Sequence, residues 1–206
     1  MRPDEIERES FRIILQELGP GAPAWPRLPI VQRVIHATAD FEFNRALVFS
    51  PTAVGDALAA LRAGRPIFTD VTMAASGISR SHAGELGVTV RCAVHEPETR
   101  ALAEAEGVTR SAAALRRLAP ELAGSVVAIG NAPTAVREVL RLAGEGVRPA
   151  VVVGVPVGFV DAAESKDALA GSDLTFITSL GRKGGSTVAA AIVNALLRLA
   201  VEPARA

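Results

Sequence analysis

Ser125-Val126-Val127-Ala128-Ile129-Gly130-Asn131-Ala132-Pro133-Thr134-Ala135 decides the fold class. Its first half is apolar without alternation, the pattern of a strand covered on both faces inside a parallel sheet. Gly130 closes that run, and Pro133 suits the first turn of a following helix, where a missing N–H removes no bond. The same plan recurs on either side. Strands are expected at 66–70, 88–92, 125–129, 150–155 and 174–178, separated by helical patterns at 97–118, 132–143 and 161–170. Such alternation predicts an α/β protein: a Rossmann-like, mostly parallel sheet with helices on both faces.

Further out, helices flank this sheet. Ile6, Phe11, Ile14, Leu15 and Leu18 recur at helical spacing over 3–18, and Gly19-Pro20-Gly21 ends the pattern. A loop holding four prolines leads to a second helix over 30–40, with Ile30, Val31, Val34 and Ile35 along one side. A third helical run follows Pro51 and closes at Gly64. Near the other end, 186–201 is interrupted only by Asn194 and Arg198, so it is expected to be buried nearly all round. Two roles fit it: a central covering helix or a subunit contact.

The chain has 206 residues, which suits a single domain over 1–206, and 22 Lys+Arg balance 22 Asp+Glu. That balance lacks the basic footprint of a nucleic-acid binder or a membrane-surface adaptor. One cysteine, Cys92, allows no intrachain disulfide and no zinc pair, so a reducing, cytoplasmic setting and a metal-free fold are expected. The densely charged first eight residues lack a signal-peptide core, and no apolar run reaches the roughly 18 residues needed to cross a bilayer. A soluble protein with a small-molecule partner is the expectation.

In an open α/β sheet the ligand crevice lies beyond the carboxyl ends of the strands. Four Gly- and Pro-containing segments fall there: Thr69-Asp70-Val71-Thr72-Met73 with Gly77-Ile78-Ser79-Arg80, Gly130-Asn131-Ala132-Pro133-Thr134, Gly154-Val155-Pro156-Val157-Gly158-Phe159, and Gly181-Arg182-Lys183-Gly184-Gly185-Ser186. Each alone reads as turn and cap chemistry; together they point to a site. None is a nucleotide fingerprint, because Lys183 precedes the paired glycines and Gly154 and Gly158 lack the third glycine of a Rossmann turn. His36 has Arg33 three residues before it and Asp40 four after, so one polar stripe is expected to carry all three. It is either a proton donor or a member of a surface ion-pair ladder. His82 and His95 stand in polar, loop-like contexts and read as solvated. Ser10 shares a side with Ile6, Ile13 and Ile14, and reads as a hydroxyl on the buried side bonding back to its own helix.

Taken together, these segments resemble the precorrin-8X methylmutases of cobalamin biosynthesis. The likeness is carried by Ser10-Phe11-Arg12-Ile13-Ile14, Arg33-Val34-Ile35-His36-Ala37-Thr38-Ala39-Asp40, Thr69-Asp70-Val71, Thr109-Arg110-Ser111-Ala112-Ala113, the segment from Gly130 to Ala135, the segment from Gly154 to Val160, Glu164-Ser165-Lys166 and the segment from Gly181 to Ser186. The resemblance implies an isomerase that moves a methyl group from carbon eleven to carbon twelve of a late corrin precursor, formally a [1,5]-sigmatropic shift, without a cofactor. It implies that His36 is the proton donor and that Ser10, Ser79 and Arg110 are pocket residues, with Ser79 standing where the family commonly has Thr. It further implies that Arg33, Asn131, Thr134, Lys183 and nearby backbone N–H groups meet the substrate's carboxylate arms. A homodimer is implied too, with the last helix and parts of the first two as candidate contacts. The alternative is a noncatalytic tetrapyrrole carrier that keeps the pocket.

Overall fold

The computed structural model describes residues 2–202. Met1, which begins the charged N-terminal stretch, and 203–206, the end of the expected single domain, lie outside the described residues. The chain runs through α1 (Pro3–Leu18), a 3₁₀ turn (Gly19–Gly21), α2 (Leu28–Thr38), α3 (Phe43–Ala46), β1 (Leu47–Phe49), α4 (Ala53–Arg62) and β2 (Ile67–Thr69). It continues through α5 (Thr72–Gly77), α6 (Arg80–Glu85), β3 (Val90–Arg91), α7 (Pro97–Glu106), α8 (Arg110–Arg117), α9 (Ala119–Leu122) and β4 (Val126–Ile129). Last come α10 (Pro133–Gly144), β5 (Val151–Gly154), α11 (Ala162–Ala170), β6 (Phe176–Ser179) and α12 (Ser186–Val201).

The strands form one sheet in the order β1-β6-β5-β4-β2-β3. Five of them run parallel, with Val126 of β4 opposite Val151 of β5 and Ile67 of β2 opposite Val126. β1 closes one edge antiparallel to β6, Leu47 facing Ser179. Both faces of the sheet are covered, as its apolar strands require. Val126 and Ala128 pack into a layer with α2, α4 and α12, whereas Val127 and Ile129 pack into a second layer with α8, α10 and α11. Alternate side chains of a strand point to opposite faces, so only a continuously apolar strand can feed two cores.

Three expectations about elements are corrected. The second helix stops at Thr38, not Asp40, because Ala39 takes a left-handed conformation (φ 53°) and its N–H closes back on the Ile35 carbonyl at 2.7 Å. The pattern over 97–118 is two helices: Gly107 (φ 64°) ends α7, and the Thr109 hydroxyl caps α8 by accepting from the Ala112 N–H. The strand β1 has no counterpart in the sequence reading, since three residues carry no readable period. The choice left open for the last helix is settled by its packing. α12 lies against α2, α4, α5, α6, β4 and β5 of the same chain, so its apolar surface is used up internally. Among the described residues, no helix is long and apolar enough to cross a membrane.

Candidate active site

The loops beyond the carboxyl ends of β2, β4, β5 and β6 meet at one end of the sheet, and a carboxylate organises the first two. Asp70, fully buried just after β2, accepts three successive N–H groups of the next loop: Gly130 at 3.0 Å, Asn131 at 2.9 Å and Ala132 at 2.7 Å. Burial pushes its pKa up and the three N–H groups pull it back down, the upward effect prevailing. The carbonyl of Asp70 also accepts from the Ser111 hydroxyl at 3.2 Å, which draws in α8. These bonds correct one expectation. The N–H groups of Gly130, Asn131 and Ala132 are occupied by a protein carboxylate and do not point at a ligand.

The later loops lock together through backbone. A Cβ on Gly130 would lie 2.6 Å from Cα of Ser186, and one on Gly184 would lie 2.2 Å from the Val155 carbonyl oxygen, so glycine is required by close approach at both places. The Gly185 N–H donates to that Val155 carbonyl at 2.8 Å, and the Gly158 N–H donates to the Arg182 carbonyl at 3.3 Å. From below, the fully buried Lys166 on α11 donates to the Lys183 carbonyl at 2.6 Å.

Two cavities open beside these loops. The first, about 280 Å³, lies between α2, α5 and α12 and is lined by Arg33, His36, Ala37, Met73, Gly77, Thr187 and Asn194, among others. The second, about 540 Å³, is lined by Val71, Thr72, Met73, His95, Thr109, Arg110, Asn131 and Thr134, among others. Met73, 73% exposed, is a wall of both. His36 is exposed on α2, its ring standing edge-on to Phe11 with centroids 5.4 Å apart and planes at 86°. Among the described residues its ring nitrogens have no hydrogen-bond partner, which leaves both free for a ligand.

The polar stripe expected around His36 is not formed. Asp40 lies past the helix end and accepts from Lys183 Nζ at 2.6 Å, which holds its carboxyl below the usual range. Arg33 remains beside His36, but it is ion-paired with Glu7 and stacked over Phe11, its Cζ 4.7 Å from the ring centre. The pair balances the guanidinium charge at the cavity rim.

The other sequence-derived candidates divide into four groups. Arg110, Asn131 and Thr134 come together in the second cavity, with the Thr134 hydroxyl 2.7 Å from that of Thr109 and the exposed Arg110 making no hydrogen bond or ion pair among the described residues. Ser79 caps α6, its hydroxyl 3.1 Å from His82 Nδ1, and its N–H donates to Oδ1 of Asn194, a wall of the first cavity, at 2.8 Å. Lys183 is held between Asp40 and Glu42 at 2.6 and 2.7 Å. Ser10 lines neither cavity. Its hydroxyl bonds to the Ile6 carbonyl at 2.8 Å as expected, and its side of α1 is partly buried: Ile14 is 7% exposed, whereas Ile6 is 50% and Ile13 42% exposed.

Four contributors escaped the sequence reading of the site. His95 lines the second cavity, although its setting read as solvated, and His82 is bonded to the Ser79 cap. Asp70 and Lys166 were quoted only as parts of motifs. A carboxylate at the end of a parallel strand and a lysine inside an apolar helical pattern were the available signals.

A family model described as precorrin-8X methylmutase matches residues 5–199. The chain is 42% identical to the cobalt-precorrin-8 methylmutase of Priestia megaterium, over 97% of this chain and 89% of that one. It is 45% identical to the precorrin-8X methylmutase of a Sinorhizobium species, over 94% and 93%. Among solved structures it is similar to a precorrin-8X methylmutase from Thermus thermophilus, with a TM-score of 0.88 and 41% identity, covering 95% of this chain and 96% of that one.

Proposed function

This chain belongs to the precorrin-8X methylmutase family and is an isomerase of cobalamin biosynthesis, and on that premise we propose that His36 is its general acid. The observation that carries this is the imidazole itself: exposed at a cavity wall, edge-on to Phe11, with neither nitrogen hydrogen-bonded among the described residues. A methyl shift around a conjugated ring needs the ring fixed in one shape and electron density drawn off as the methyl leaves. A proton given by His36 to a ring nitrogen would do the second, moving the methyl from carbon eleven to carbon twelve.

Holding the macrocycle falls to the two cavities together. Neither volume alone suits a polycarboxylate tetrapyrrole, and Met73, an unbranched and adaptable side chain, stands between them. Arg110, Asn131 and Thr134 would meet carboxylate arms in one cavity and Arg33 in the other, while Ser79 and Lys183, which line neither, would meet arms that extend past the walls. Ser10 would reach the substrate only if its hydroxyl left the Ile6 carbonyl. Relatives named for either substrate form, with and without cobalt, match this chain, and its pocket walls favour neither.

Residues 1–206 are taken to act as one domain, which the single six-stranded sheet supports. The half-buried lone Cys92 supports a cytoplasmic setting. A homodimer is supported by α1 rather than by α12: Ile6, Ile13 and Leu15 are 50%, 42% and 44% exposed, and Trp25 51%.

Replacing His36 with Asn tests the central claim. Turnover of precorrin-8X, followed by the absorption of the conjugated ring, should fall by roughly 10²–10⁴, the usual contribution of a positioned acid. Binding of the corrinoid product should persist. A variant that turns over like the parent overturns the assignment, and one that loses product binding recasts His36 as a binding group.

A further inference from the structure

A buried lysine normally sits against a carboxylate, because an uncompensated charge in the interior is costly. Lys166 departs from that rule. It is 0% exposed, and its Nζ bonds are to the Lys183 carbonyl oxygen at 2.6 Å and the Ser179 hydroxyl at 3.4 Å. The Ser179 hydroxyl donates to the same carbonyl at 2.9 Å. Two donors therefore converge on one main-chain oxygen, and they come from α11 and from the end of β6.

Lys183 is gripped at its other end as well. Its Nζ lies 2.6 Å from Asp40 and 2.7 Å from Glu42, just beyond the helix that carries His36. An ammonium has three donors, so two carboxylates leave one uncommitted. The flanking residues are fixed too: the Arg182 carbonyl accepts from Gly158, Arg182 lies over the Phe159 ring at 5.4 Å, and Gly185 is bonded to Val155. The loop is thus held at Arg182, Lys183 and Gly185, and its innermost fixing is the Lys166 ammonium.

We infer that Lys166 is a positioning residue that fixes the main chain of Lys183, so that the Lys183 ammonium stands ready at the end of α2 to take a substrate carboxylate. This rests on the reading of Lys183 as a substrate contact. Lys166 itself, enclosed beneath the loop, touches no substrate. Of the charged groups around it, Asp167 on its own helix acts only through space, and the hydrogen bonds across the gap are those to the Lys183 carbonyl and to Ser179.

The experiment is a double-mutant cycle in the full chain, assayed with precorrin-8X: Lys166→Met, Lys183→Ala and both together. Lys183→Ala should raise KM roughly tenfold, the effect of losing one charged hydrogen bond, with kcat little changed. Lys166→Met should raise KM in the same direction. In the Lys183→Ala background it should add almost nothing, since a residue that acts through a second one has no effect once the second is gone. Multiplying KM effects, or an unchanged KM in Lys166→Met, overturn the positioning role. An unchanged KM in Lys183→Ala alone removes the substrate contact and the inference with it. If Lys166→Met does not fold, Ser179→Ala, which withdraws the milder of the two donors, takes its place in the same cycle with the same outcomes, at a smaller KM rise.

Discussion

Lys166 is also the residue at which pH speaks most directly. Burial lowers its pKa from the ordinary 10.5 to about 8. Below about 8 the folded and unfolded chains both carry the proton, and the native state bears the full cost of a buried charge. Between 8 and 10.5 the unfolded chain holds a proton that the folded chain has given up, so stability rises with pH across that window and levels off above it. The unfolding free energy of the parent minus that of Lys166→Met should therefore increase when urea unfolding is compared at about pH 7, 9 and 10, other groups cancelling in the difference. A flat difference would mean that the buried amine keeps its ordinary proton affinity. Of the individual residues, His36 was legible in its place on the second helix, but its setting was not. An i, i+4 spacing places Asp40 beside it only if the helix continues, and one left-handed alanine at position 39 ends the helix first. The roles of Asp70 and His95 were not legible, because their partners lie 60 and more residues away along the chain or across a cavity.

At the scale of elements, long periodic segments were the readable ones. α12 begins and ends where its apolar run does, and β4 and β5 fall within one residue of the expected strands. Short pieces such as β1, α3 and α5 were not readable, since a few residues cannot display a period. Both polar interruptions on α12 face a neighbour: Arg198 pairs with Glu7 of α1, and Asn194 bridges two backbone groups. Asn194 donates to the Gly77 carbonyl at 2.8 Å and accepts from the Ser79 N–H at 2.8 Å, joining α12 to the link between α5 and α6. Asn194→Leu should leave both backbone groups without these bonds and cost about 1–3 kcal/mol in chemical denaturation, even though leucine suits a helix better than asparagine. Stability equal to the parent would show that water replaces the amide at no cost.

For the whole molecule, the α/β plan with helices on both faces of the sheet was legible because short apolar runs alternate with helical patterns along the chain. Assembly was not, and the apolar last helix was an ambiguous guide to it. With α12 enclosed by its own chain, the exposed apolar residues of α1 are the surface on which the proposed homodimer would form. The parent should sediment as a dimer, and Ile13→Glu as a monomer with impaired turnover; a parent that sediments as a monomer, or a variant that stays dimeric, excludes this face. The seating of α2 on α12 also bears on biosynthesis. The imidazole leaves the ribosome well before the helix that supports it. A nascent chain therefore carries His36 on an unsupported helix until α12 emerges, and the cavity wall forms in one step then rather than growing with length.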